Sequence, residues 1–295
     1  MNYQNIFIII MGALFIFLPL FDAQAEELSL IPEVWLSTNI FYQGDTFAVV
    51  VKNVEGEVSG NFNSKSLQFF ENRKNKNKVA LVGISVKTKP GNYKLVVNVS
   101  KKPIFEKDIL VLEKNFLVTS LATTSSLVQK GYTVKNIVDN SVNKENQILA
   151  EIFSKTTPQA YFSQPFVLPV SNTYDVGSFG NINKSGNYQL QHLGVDLKAS
   201  INTPVYSTNS GKVVFAGTLP NCGKSIVIDH GLGIYSLYAH LGYIDVQKGQ
   251  MVRRKEIIGL SGNTGYSLGP HLHFSIKYQG DSLDPLRFIL SSFAL

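Results

Sequence analysis

The sequence is poor in cysteine, tryptophan and charge. Cys222 is the single cysteine among 295 residues, so no disulfide can form within the chain, and stability must come from core packing. Charged residues make up 16% against 44% apolar, which excludes a disordered chain kept open by its own charge. Long helical patterns are scarce while glycine is plentiful, at 23 residues, so the composition predicts a mostly β protein. There is no H-E-x-x-H helix signature and no DNA- or RNA-reading motif. Histidine is absent from the whole N-terminal part; all five, His192, His230, His240, His271 and His273, lie in the C-terminal part.

The N-terminus carries the one long apolar run. Ile6 to Phe21 is too short for an ordinary membrane span, and Ala23-Gln24-Ala25 follows it as a small-x-small site. This reads as a secretory signal peptide over residues 1–25, although no Lys or Arg precedes the run; left uncleaved, the same run anchors the chain to a membrane. Either way the rest is exported, to a periplasm or a cell wall. Removing residues 1–25 takes away Asp22 and no base, leaving 27 bases against 20 acids, a net +7. An exported basic chain suits an anionic envelope surface and makes nucleic acid an unsuitable partner. The sequence names no protein partner.

Residues 26–118 carry short β-type segments: "TFAVVVKN" from Thr46, "KVALVGISV" from Lys78 and "NYKLVVNVS" from Asn92. Their spacing predicts a small β-sandwich-like accessory domain with no chemistry of its own. Residues 119–160 read as a linker, with "LATTSSLVQKG" loosely structured. Ile148, Leu149, Ile152 and Phe153 stand at helical spacing before Pro158, which predicts one short helix. From residue 161 to 295 the β pattern returns, broken by glycines, and predicts a compact antiparallel sheet.

In "HLHF", His271 and His273 share one strand face, about 6.6 Å apart along it. Two imidazoles so placed can reach one small site, while Leu272 and Phe274 point into a core. His192 and Asp196 are four apart in "QHLGVDLKA"; an extended chain would keep them about 13 Å apart, but a bend at Gly194 brings them together. Nitrogen and carboxylate donors in this number fit a catalytic zinc, which takes three protein ligands and leaves a fourth position to water. His192, Asp196 and one histidine of the H-x-H pair supply three. His240 and the other member of the pair are then the candidates for moving protons. His230, beside Gly231, reads as a turn residue without a catalytic role.

The stretches "HLGVDLKASINTPVYSTNSGKVVFAG", "YAHL" and "SGNTGYSLGPHLHFSI" resemble the lysostaphin/LytM-type zinc endopeptidases, metallopeptidase family twenty-three, over about residues 161–290. The resemblance implies one zinc ion held by His192, Asp196 and His273, with His240 and His271 assisting catalysis. It implies hydrolysis of peptide bonds in bacterial peptidoglycan, with wall peptides as the partner. The rival is a non-enzymatic wall-binding or regulatory protein of the same fold; degenerate members of that kind lack ligands, and this sequence keeps all five positions. One departure is that no arginine stands between Phe179 and His192, where family members often carry one.

Overall fold

The computed structural model describes residues 31–72, 74–140 and 144–294. The leader expected over residues 1–25 lies outside them. Residues 31–295 form one compact unit. Among the described residues no helix is long and apolar enough to cross a membrane.

The architecture is mostly β, as the composition predicts. Two sheets make the N-terminal sandwich. One orders Glu33–Leu36, Thr46–Lys52, Lys78–Gly83 and Phe70–Glu71; the other orders Phe41–Tyr42, Lys102–Leu112, Gly91–Val99, Val58–Phe62 and Lys65–Ser66. The three segments read from sequence are the strands Thr46–Lys52, Lys78–Gly83 and Gly91–Val99. Their near-continuous apolar runs have a structural cause. Phe47, Val49 and Val51 fill the sandwich interior with Leu95, Val97 and Ile109. Ala48, on the opposite face, joins Val79, Leu81 and Val86 in the core of the C-terminal part, beside Phe274, Ile276 and Leu283. The strand is buried on both faces, so it shows no polar alternation.

The C-terminal part is a large antiparallel sheet. Its order is Asp175–Gly177, Val195–Lys198, His271–Tyr278, Ile234–Ile244, Gly223–Gly231, Gly211–Leu219 and Met251–Val252. A small sheet beside it pairs Val118–Ser120 in parallel with Ile182–Ser185, which in turn pairs antiparallel with Tyr188–Gln191.

The connector is more ordered than its polar composition suggests. Among the described residues it holds three helices, α1 (Ser125–Gln129), α2 (Val134–Asn140) and α3 (Asn146–Phe153), where the sequence predicts only the last. Thr124 caps α1 by accepting from the Leu127 N–H, and Leu127 is the residue it buries. A five-residue helix with one buried apolar group leaves too little periodicity to read. In α3, Leu149, Ile152 and Phe153 pack against Val227, Tyr235 and Leu237 on the sheet, while Ile148 stays exposed. A fourth helix, α4 (Pro285–Ser291), starts at Asp284, whose carboxylate accepts from the Leu286 and Arg287 N–H groups.

Candidate metal centre and groove

Neighbouring strands bring the site together. His273 stands in register opposite Asp196 on one side and Ala239 on the other. His271, His273, Ser275 and Lys277 share one face of their strand, while Leu272, Phe274 and Ile276 are buried on the other. The chain bends at Gly194, and the bend carries His192 back onto Asp196 as the spacing requires. No side chain fits at Gly194, because a Cβ there would lie 2.4 Å from Ser275 Oγ and 2.7 Å from His273 Nε2. Gly177 is constrained in the same way, with a Cβ falling 2.5 Å from Asp196 Oδ2.

Three donor atoms form a small triangle. His192 Nε2 lies 3.0 Å from Asp196 Oδ1 and 2.9 Å from His273 Nδ1, and the last two are 2.9 Å apart. The far nitrogen of each ring has its own partner: His192 Nδ1 meets the Ser178 carbonyl at 3.1 Å, and His273 Nε2 meets Ser275 Oγ at 2.9 Å. With the ring protons assigned to those outer nitrogens, three lone pairs converge and no proton lies between them. Such a set attracts positive charge. Burial pulls the His192 imidazole down, but the Asp196 carboxylate outweighs it and leaves it raised. Burial likewise works against the Asp196 charge, yet the His192 and His273 rings beside it hold its carboxyl well below the usual range. Two imidazole nitrogens and one carboxylate oxygen within reach of one point fit a divalent ion such as zinc, which accepts this mixture of ligands.

Two further histidines stand beside the triangle. The His271 ring centroid lies 4.8 Å from that of His240, and His271 Nε2 is 3.5 Å from Asp196 Oδ1. His271 Nδ1 meets the Gly269 carbonyl at 2.8 Å, and His240 Nδ1 meets the Thr264 carbonyl at 2.8 Å. Burial pushes the His240 imidazole down to about 3, helped by the charges of His271 and His273. His240 sits inside Ile234–Ile244 at a bulge, with φ of 60° and its N–H donated to the Cys222 carbonyl. The left-handed backbone turns the ring toward the other histidines. His230 is not a turn residue. It is fully buried in Gly223–Gly231, bonded to the Ser210 carbonyl and to Ser236 Oγ, and burial pushes it down to about 4. It is a core histidine, apart from the cluster.

The cluster lines a groove of about 800 Å³. The connector forms one of its walls. Tyr266 Oη donates to the Ala122 carbonyl, Tyr132 Oη donates to the Pro220 carbonyl, and Glu145 Oε1 accepts from the Asn221 and Cys222 N–H groups at 2.6 and 2.7 Å. Burial raises the Glu145 carboxyl, and those N–H groups oppose the rise. Glu145 escaped the sequence reading because its partners lie about seventy-six residues away. In place of the missing arginine, the β strands after Phe179 present the amides Asn183, Gln189 and Gln191 to the groove.

The profile of peptidase family M23 matches residues 190–285, the segment that carries all five clustered groups' strands. Residues 190–285 belong to peptidase family M23. Peptidoglycan DD-endopeptidase ShyA of Vibrio cholerae is 43% identical over 96 residues, 32% of this chain and 22% of that protein. An uncharacterized metalloprotease of Buchnera aphidicola is 29% identical over 182 residues, 60% of this chain and 47% of that protein. The chain thus spans less than half the length of these two relatives. A solved structure of a Pseudomonas aeruginosa protein assigned to peptidase M23 superposes with a TM-score of 0.57 at 26% identity, over 83% of this chain and 93% of that one. That superposition extends beyond the M23 segment.

Proposed function

We propose that this chain is an exported endopeptidase that cleaves peptide bonds in bacterial peptidoglycan, with His192, Asp196 and His273 holding one zinc ion. The triangle of donors 2.9–3.0 Å apart carries the reading. The M23 membership and the wall activity printed for a relative such as ShyA support the substrate class. The bound ion would supply a polarised carbonyl and an acidified water. His240 and His271 do the rest. Each donates a hydrogen bond from its Nδ1–H to a backbone carbonyl, which leaves Nε2 as the acceptor. One takes the proton of the attacking water and passes it to the leaving amine; the other, protonated beforehand from solvent, would donate a hydrogen bond to the developing oxyanion. Burial keeps His240 neutral before the reaction. Ser178 and Ser275 hold the ligand rings in orientation from behind. The groove admits an extended peptide across the cluster.

The test is zinc stoichiometry together with muropeptide analysis of sacculi incubated with the purified protein. One bound zinc and newly cleaved peptides are expected. Intact cross-links and stems with zinc bound would overturn the activity and favour a wall-binding role.

A further inference from the structure

The groove contains a cationic side chain that hydrolysis does not use. Lys87 is the only ammonium among its described lining residues, and it comes from the N-terminal sheets, in the loop after Lys78–Gly83. The side chain is exposed, and no carboxylate pairs with it among the described residues. Its loop is fixed in place. Ile84 and Val86 are buried, the Ile84 carbonyl accepts from the Gly44 N–H at 2.9 Å, and Gln43 Nε2 donates to the Thr88 carbonyl at 2.7 Å.

The loop lies against the far end of the H-x-H strand. Gly83 touches that end so closely that a Cβ would lie 2.9 Å from Leu283 Cδ2 and 3.4 Å from Tyr278 Cδ1. Lys277, next to Tyr278, faces the same side as His273 and stands about 13 Å from it along the strand. Its Nζ donates to Ser282 Oγ and lies 5.6 Å from the Phe153 ring centroid. Burial pushes this ammonium down to about 8; Asp281 opposes the shift, and the charge of Lys87 adds to it. The nearby acids are engaged: Asp281 pairs with Lys65 at 2.7 Å, and Glu145 is held by two backbone N–H groups. Lys277 stands behind the groove rather than in its lining, close enough for its charge and that of Lys87 to act on each other, and among the described residues no carboxylate pairs with Lys87.

We propose that Lys87, backed by the charge of Lys277 behind it, forms a carboxylate subsite that selects wall peptides carrying a free carboxylate in the groove beside the metal cluster. The subsite rests on the hydrolytic reading for its choice of ligand, and it gives the N-terminal sheets a part in substrate selection.

The experiment uses a synthetic D-alanyl–diaminopimelate cross-linked peptide with its free carboxylates left ionised or amidated one at a time. Binding to the full chain is measured by calorimetry and cleavage by product analysis. Wild type is expected to favour one free acid over its amide by about tenfold, in Kd and in KM, with kcat unchanged. Lys87→Ala should equalise the two, Lys87→Arg should keep the preference, and Lys87→Glu should reverse it, all with the wild-type zinc content. If the binding preference appears without cleavage, the subsite stands and the hydrolytic reading falls. Cleavage without any acid–amide preference, or a preference that survives Lys87→Ala, overturns the subsite.

Discussion

Gly194→Ala tests the architecture of the metal centre at a residue that is not itself a ligand. Its new Cβ would have to share space with Ser275 Oγ at 2.4 Å and with His273 Cε1 and Nε2 at 2.7 Å. Real Cβ contacts do not come so close. Ser275 could turn away, but it would then drop the 2.9 Å bond that orients His273. The ring could move instead, but it would leave the donor triangle. Overpacking of this kind costs about 1–3 kcal/mol. A lost orienting contact weakens metal binding by about 10–100-fold. The assay is zinc affinity by chelator competition, run beside thermal unfolding of the metal-free protein. A fall in Tm of about 2–10 °C is expected, with weaker zinc binding. Gly269→Ala is the control, since nothing lies within 4 Å of a Cβ there. If Gly194→Ala matches wild type in both readouts, the close packing behind His273 is wrong.

Asp196→Asn keeps the shape but removes the one anionic ligand; zinc content should fall from one per chain toward zero while the β circular dichroism persists. Stripping zinc with a chelator should abolish peptide cleavage and one equivalent should restore it, with a folded protein throughout, because the site sits on strands with their own core. Glu145→Ala leaves the Asn221 and Cys222 N–H groups without their acceptor and should destabilise the chain by about 2–4 kcal/mol in denaturant titration. Glu145 also sets a pH dependence. Its carboxyl is raised in the fold above the ordinary 4.5, so the native state binds the proton more tightly than the unfolded chain, and this contribution to stability fades as pH rises above 4.5. Glu145→Gln should flatten that slope; an unchanged slope would show that another group carries it.

The parts of the site legible in the sequence are those that lie close together along the chain. The i, i+2 spacing of His271 and His273 sets their common face, and Gly194 between His192 and Asp196 marks the bend that joins them. What escaped depends on backbone geometry or distant contact. His240 owes its aim to a left-handed residue within a strand, for which the flanking alternation gives no sign. His230 beside a glycine looks like a turn, but the strand runs on through it into the core. Lys87 and Glu145 reach the groove from segments that carry no histidine, and in the sequence they resemble any surface lysine or connector acid.

Thr46–Lys52 serves as a party wall, with one side chain set facing each of two interiors. A chain cut within the connector would leave Phe274, Ile276 and Leu283 beside a bare gap where Ala48, Val79 and Leu81 had been. The peptidase half is therefore not a module that can be lifted out intact, and grafting it elsewhere calls for a substitute to cover that surface. Melting should begin and finish together in both halves.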